Sequence, residues 1–302
     1  MTVVRSIGMI MFCSAVEYLK NEKGYRFYYN GSDSYWSYER AWSYAKHIGF
    51  FKSLGINKGK DYYKYYKDLN HKYCPIVRLS ESTLLNKFRD THVGIVKFSK
   101  YLSSILTEDI PQADLLVSYL IREIIRNTFE HTDSDHVWVS AQRHTYNNYI
   151  EVAIADNSVG IKHMITVNPK LRPIVHNDSE ALQAAIKPGI STGSDNHSGV
   201  WENSGYGLYV TSELLKNLGK FRIVSGKSYL ECNDNSERPY IGKANYHGTA
   251  VQLVIKISNV KNIIKNNESL LNKILKKGQN IAKHDKYASS NSASLASQLF
   301  NV

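Results

Sequence analysis

Residues Asp114–Thr132 read DLLVSYLIREIIRNTFEHT, and this stretch decides the fold. Leu116, Leu120, Ile124 and Thr128 recur every four residues, with Ile121, Ile125 and Phe129 beside them. That period predicts a long amphipathic helix with one buried stripe. A second stripe is polar: Glu123, Asn127 and His131 lie one turn apart on one face. A carboxylate placed there can orient or deprotonate a water. The asparagine offers a neutral oxygen, suited to a Mg²⁺ ion whose charge phosphates already balance. The triplet equally fits an ordinary polar helix face.

Downstream the period changes from four to two. His136–Gln142 alternates Val137, Val139 and Ala141, and Tyr149–Ala155 alternates Ile150, Val152 and Ile154. These read as two strands joined by a turn at Tyr146-Asn147-Asn148. Asp178–Ile186 reads as a short helix. Lys187–Ser204, rich in Gly, Ser, Asn and Asp, reads as a long loop. Gly207–Leu218 resumes a helix, ended by Gly219. Phe221–Val224 and Ala250–Ile257 read as strands, with Tyr229–Tyr246 an irregular hairpin excursion between them. Asn262–Lys277 reads as an amphipathic helix, and the Ser-rich end as frayed.

Three further features could carry chemistry. Asp156, in Ala153–Ile161 (AIADNSVGI), follows an apolar strand at its C-terminal end. A buried carboxylate there can accept a hydrogen bond from an amino group such as that of adenine, and Gly160 lets the backbone approach a ligand. Asp-Asn-Ser also makes a plain strand-ending turn. Gly205-Tyr206-Gly207-Leu208 closes the loose loop and opens a helix, where backbone N–H groups can bind phosphate. Gly248-Thr249 opens the last strand; the threonine hydroxyl can bond a ligand or cap the turn.

The order of these pieces resembles the GHKL family, the group of gyrase, histidine kinases and related ATPases that shares the Bergerat nucleotide fold. The resemblance spans about residues 110–257. It implies ATP and Mg²⁺ as cofactors. Asn127 would hold the metal, with His131 one turn on in the same nucleotide-binding stripe. Glu123 would be the general base. Asp156 would bind the adenine amino group, supported through water by Thr249, and Gly160 would pass against the ring. Gly205, Gly207 and Leu208 would bring N–H groups to the phosphates under a lid formed by residues 187–204. Two positions depart from the family pattern. Ser158 stands where the first glycine of DxGxG is usual, and Glu130 stands where histidine kinases carry a basic residue.

The expected architecture is an α/β (α+β) protein: a Bergerat-type sandwich with a mostly antiparallel sheet, preceded by a small α/β module. Residues 1–108 would form that module, 109–258 the ATP-binding domain, and 259–302 a C-terminal helix and tail. In the first part, Met9–Asn21, Ser37–Leu54 and His92–Leu106 read as helices, and Tyr25–Tyr29 (YRFYY) and Pro75–Leu79 as strands. The strand–helix pattern is similar to a STAS-like module. Tyr62, Tyr63, Tyr65 and Tyr66 interleave with Lys60, Lys64 and Lys67, a mix that can stack on bases or cover a core.

The net charge of +11 favours acidic partners such as nucleotides, nucleic acid or acidic proteins, and equally fits a basic solvated surface. Cys13, Cys74 and Cys232 are far apart and form no CxxC pair, which suits a reducing cytosol rather than a disulfide framework or zinc site. The apolar run Ile7–Val16 is too short to span a membrane and lacks a cleavage site. The expected function is a slow ATPase or nucleotide-gated regulatory switch with a protein partner. The alternatives are a serine kinase or anti-sigma-like regulator of a STAS-like protein, and an ATP-sensing module contacting nucleic acid or a defence complex. A homodimer stays open.

Overall fold

A computed structural model describes residues 5–30, 40–59, 72–110, 112–131, 134–190, 205–234, 236–265 and 270–288. The protein is α+β. Its described residues form eleven helices and one open five-stranded antiparallel sheet. The strands are β1 (Tyr73–Ser80), β2 (His136–His144), β3 (Tyr149–Ala155), β4 (Gly219–Asn233) and β5 (Tyr240–Lys256), in spatial order β1-β2-β3-β5-β4. The helices are α1 (Ser6–Asn21), α2 (Arg40–His47), α3 (Phe50–Ser53), α4 (Glu81–Phe88), α5 (Thr91–Thr107), α6 (Ala113–His131), α7 (Gly160–Val167), α8 (Asp178–Ala185), α9 (Gly207–Leu218), α10 (Ile257–Lys265) and α11 (Leu270–His284).

Pleating sends alternate residues to opposite faces, and helices cover both. Val137, Val139, Ile150, Val152, Ile154, Leu253 and Ile255 meet the buried stripe of α6, including Leu120, Ile121, Ile124 and Ile125, with Leu214 and Leu215 of α9 in the same core. Trp138, Ala153, Ala155 and Ala250 face the other way, against Ile7, Met9, Ile10 and Cys13 of α1 and Ile48 and Phe51 beside α2 and α3. A third cluster joins α7 and α8 through Ile165, Leu171, Ala181 and Ile190. The sheet therefore uses chain from both sides of residue 108: β1 pairs with β2 from Tyr73 opposite Gln142 to Ser80 opposite His136. Pro75 falls where that register shifts, on an edge strand that tolerates a missing donor.

Two elements, Tyr25–Tyr29 and Ser37–Leu54, differ from the sequence reading. Tyr25–Tyr29 forms no strand; Tyr29 instead rests its ring on Trp42 and Phe51. Aromatic β-propensity expresses packing on a pleated surface, and here no ladder partner supplies one. The helix expected over Ser37–Leu54 is interrupted at Gly49, whose φ is +81°. Tyr229–Tyr246 agrees with the sequence reading: its described residues belong to the β4–β5 hairpin, made irregular by register shifts between Ser225 and Ser228, with Arg222 and Lys220 ion-paired to Glu231. Of the helix expected over Asn262–Lys277, the described residues are helical in α10 and α11, and residues 266–269 lie outside those described. Helices α4 and α7 carry no counterpart in the sequence reading. The tyrosine–lysine stretch 60–67 and the loop 191–204 lie outside the described residues. No helix among those described is long and apolar enough to cross a membrane.

Candidate functional site

The cleft is built where α6, α7 and α9 leave the sheet uncovered. Its floor is Ile154, Ile223 and Val251 from the strands. Its walls are Ile124, Ile161, Met164, Ile165, Ala185, Ile190 and Leu208. The same cleft is lined by Asn127, Asp156, Gly160, Gly205, Gly207, Leu208 and Thr249. Seven residues singled out in the sequence, from separate segments, thus share one surface. The space measures about 910 Å³ including the open solvent at its mouth. Glu123 lies behind Gly207 rather than on the lining. His131 ends α6, and its side chain lies outside the described atoms.

At one end stands Asp156, buried just beyond β3. Its backbone N–H donates to the Thr249 carbonyl at 2.9 Å, and the Thr249 N–H donates back to Asp156 Oδ1 at 3.0 Å. Oδ1 also accepts from the Ser158 N–H at 3.0 Å and the Ser158 hydroxyl at 2.6 Å. Ser158, the departure from DxGxG, therefore orients the carboxylate. Tyr246 donates its hydroxyl to the Asp156 carbonyl at 2.7 Å from the far face of the sheet.

At the other end α9 begins. The Gly189 N–H donates to the Gly205 carbonyl at 3.1 Å, closing the base of the segment between them. Gly207 sits against α6: a Cβ there would stand 2.7 Å from Glu123 Oε2 and 3.7 Å from the Asn127 amide, so the close approach of the two helices requires glycine. Asn127 Nδ2 is buried without a hydrogen-bond partner among the described residues. Such an amide is costly to leave unsatisfied unless a ligand or water completes it.

Glu123 is fully buried and doubly ion-paired. Arg122 reaches Oε1 at 3.3 Å, and Arg126 reaches Oε2 at 3.0 Å. Arg126 also approaches Glu130 at 3.4 Å. Burial works against the charge on Arg126, but Glu123 and Glu130 outweigh it and hold the guanidinium above its ordinary pKa. Burial lowers the pKa of the neighbouring His92, helped by Arg122 and Arg126 against Asp90.

Two site residues have no motif. Arg126 lines the cleft beside Asn127. Ser225 of β4 accepts from the Ile161 N–H at 2.9 Å and donates to the Gly248 carbonyl at 3.0 Å, tying the start of α7 to the Gly248-Thr249 turn. A charge beside Asn127 was the available signal for Arg126. Ser225 had none, because its role comes from the β4–β5 register.

Among the described residues no three His, Cys, Asp or Glu side chains converge as a metal cage. The donor set suits a hard cation that brings most of its own oxygen ligands. Fold and cleft together define an α+β protein with an open cleft between a helical layer and an antiparallel sheet, lined by Asp156 at one end and by Arg126 beside a helix N-terminus at the other. No known family model and no curated protein matches the chain.

Proposed function

We propose that the cleft binds ATP with Mg²⁺ and that the protein is a nucleotide-gated switch of the GHKL kind, with slow hydrolysis. The observation that carries this is the meeting of Asp156, Thr249, Gly160, Asn127, Gly205 and Gly207 around one apolar cleft. Asp156 and Thr249 suit an amino-bearing heterocycle, since a fixed carboxylate accepts from an exocyclic N–H. The α9 N-terminus suits phosphates through backbone N–H groups and its dipole. Asn127 would hold Mg²⁺, whose remaining ligands would be phosphate oxygens and water. The metal would neutralise charge developing on the phosphates.

Slow turnover is favoured by the engagement of Glu123, whose carboxylate contacts two guanidiniums rather than the open cleft. A group so held is a poor match for a water-activating base without rearrangement. Calorimetric titration of ATP–Mg²⁺ into wild type and Asp156→Asn, with phosphate release followed in parallel, tests the reading. Binding to wild type that falls at least about tenfold in the variant supports it, since one carboxylate-accepted hydrogen bond is worth that much. Absence of binding to wild type sinks it. Turnover unchanged in Glu123→Gln removes the base assignment while leaving the nucleotide site.

A further inference from the structure

We infer that Arg126 distinguishes a nucleoside triphosphate from a diphosphate by taking the terminal phosphate, in exchange for its contact with Glu123. This rests on the nucleotide reading of the cleft. Among the described lining residues Arg126 is the cation and Asp156 the anion. Asp156 belongs to the β3–β5 end, and Arg126 to the end where α9 begins. The placement follows from contacts: Arg126 Nη2 is 3.0 Å from Glu123 Oε2, and that oxygen is 2.7 Å from where a Cβ on Gly207 would stand. The guanidinium therefore lies beside the first turn of α9, next to Asn127.

Charge balance argues for an exchange. Arg122, Arg126, Glu123 and Glu130 form a compact set with equal numbers of positive and negative groups, and the side chain of Glu123 has no exposure. Bringing a terminal phosphate to α9 adds negative charge close to that buried carboxylate. Repulsion in a low-dielectric setting is strong, unless a guanidinium stands between the two. Arg126 is the side chain that both contacts Glu123 and lines the cleft. Its planar fork carries five donors and matches two phosphate oxygens at once, which a lysine would not do. The side chain is 12% exposed, so its contacts are poorly screened by solvent. A diphosphate ends short of this fork and makes no such demand on it.

The test is calorimetric titration of the full chain with Mg²⁺ and either ADP or a non-hydrolysable ATP analogue. Wild type is expected to favour the triphosphate. Arg126→Gln should weaken the triphosphate roughly 10- to 100-fold, the scale of a lost charge-assisted pair, and leave ADP nearly unchanged. Glu123→Gln should keep or raise the triphosphate preference, because it removes the competitor for Arg126. Since Arg126→Gln leaves Glu123 buried and less compensated, the double variant Glu123→Gln/Arg126→Gln removes one charge of each sign and keeps the set neutral, and its fold is checked by thermal unfolding. It should lose the preference as the single variant does. An unchanged triphosphate-to-diphosphate ratio in the double variant overturns the inference while the nucleotide site stands. Wild type that binds neither nucleotide overturns it together with the proposed function, and the blank wild-type titration tells the two failures apart.

Discussion

A Cβ placed on Gly248 would stand 2.2 Å from the carbonyl oxygen of Asp156. Gly248 has φ +104° and lies just before β5 pairs Ala250 with Ala155 of β3. The backbone must pass here for the Thr249 N–H to reach the Asp156 carboxylate. Gly248→Ala should therefore destabilise the fold by about 2–3 kcal/mol, combining a disfavoured φ with a backbone clash. Thermal unfolding should show a midpoint lower by roughly 3–5 °C. A midpoint equal to wild type would mean that the turn relaxes and that Asp156 is not pinned by it.

Ser225 makes a second prediction about the same corner. Its hydroxyl serves the Ile161 N–H and the Gly248 carbonyl together. Ser225→Ala should cost about 1–2 kcal/mol, because a buried N–H loses its acceptor while the surrounding shape is kept. The start of α7 would also lose its tie to the turn, so nucleotide affinity should fall more than stability alone explains. Denaturant titration and calorimetry on the same sample check both parts. Lost stability with full affinity would place Ser225 in the scaffold and not in the site.

Where the chain's own periodicity decides, sequence and structure agree closely. Helices α6 and α9 and strands β2 and β3 are each marked by a local repeat and by a turn or glycine at the end. Asp156 and Gly207 stand out in the sequence because each sits at an element boundary, whereas Thr249, inside β5, stands out through the glycine before it. Other features depend on who the neighbour is. YRFYY looks like a strand, yet it joins no ladder and its Tyr29 ring meets Trp42 of α2 and Phe51 of α3. Lys220, Arg222 and Glu231 all belong to β4, and their ion pairs across its register shifts between Ser225 and Ser228 carry no local sequence signal. Likewise, α1 and β1 follow the expected local pattern, but their packing into the central sheet is a long-range fact.

Glu151 and Gln252 illustrate such a fact. They lie on adjacent strands β3 and β5, both buried, with Gln252 Nε2 donating to Glu151 Oε1 at 2.6 Å. His144 stands 3.4 Å from the second carboxylate oxygen. Gln252→Ala should cost roughly 2–4 kcal/mol, since it strips a donor from a buried carboxylate. Adding Glu151→Gln should recover part of that loss by removing the charge. A double-mutant cycle in denaturant measures the coupling, expected at about 1–2 kcal/mol. Strict additivity would show that solvent reaches Glu151 and that the pair contributes little.

The contact between α1 and the sheet should respond to pH through His136. Its Nε2 faces Glu17 Oε2 at 2.6 Å and its Nδ1 faces Asp135 at 2.5 Å, while Arg78 lies 2.9 Å from both Nδ1 and Glu17 Oε1. Trp138 also donates to Glu17 at 2.9 Å. Burial disfavours the charged ring, but hydrogen bonds to Glu17 and Asp135 outweigh it and raise the His136 pKa above 6.5. Burial likewise raises Glu17, yet His136, Trp138 and Arg78 bring its pKa below 4.5. A raised folded-state pKa stabilises fully below the unfolded value and loses that contribution as pH climbs through the folded value. The lowered Glu17 pKa acts in the opposite sense, stabilising above 4.5 and failing as pH falls through its folded value. The two together place the strongest attachment of α1 between about pH 4.5 and 6.5. Stability should then decline on the alkaline side as His136 loses its proton, and the His136→Gln variant should lack that part of the decline. Hydrogen exchange of the α1 amides, corrected for intrinsic pH dependence, reads the effect directly. Equal protection of α1 across that range in wild type and variant would show that Arg78 and Trp138 hold Glu17 without help from a charged ring.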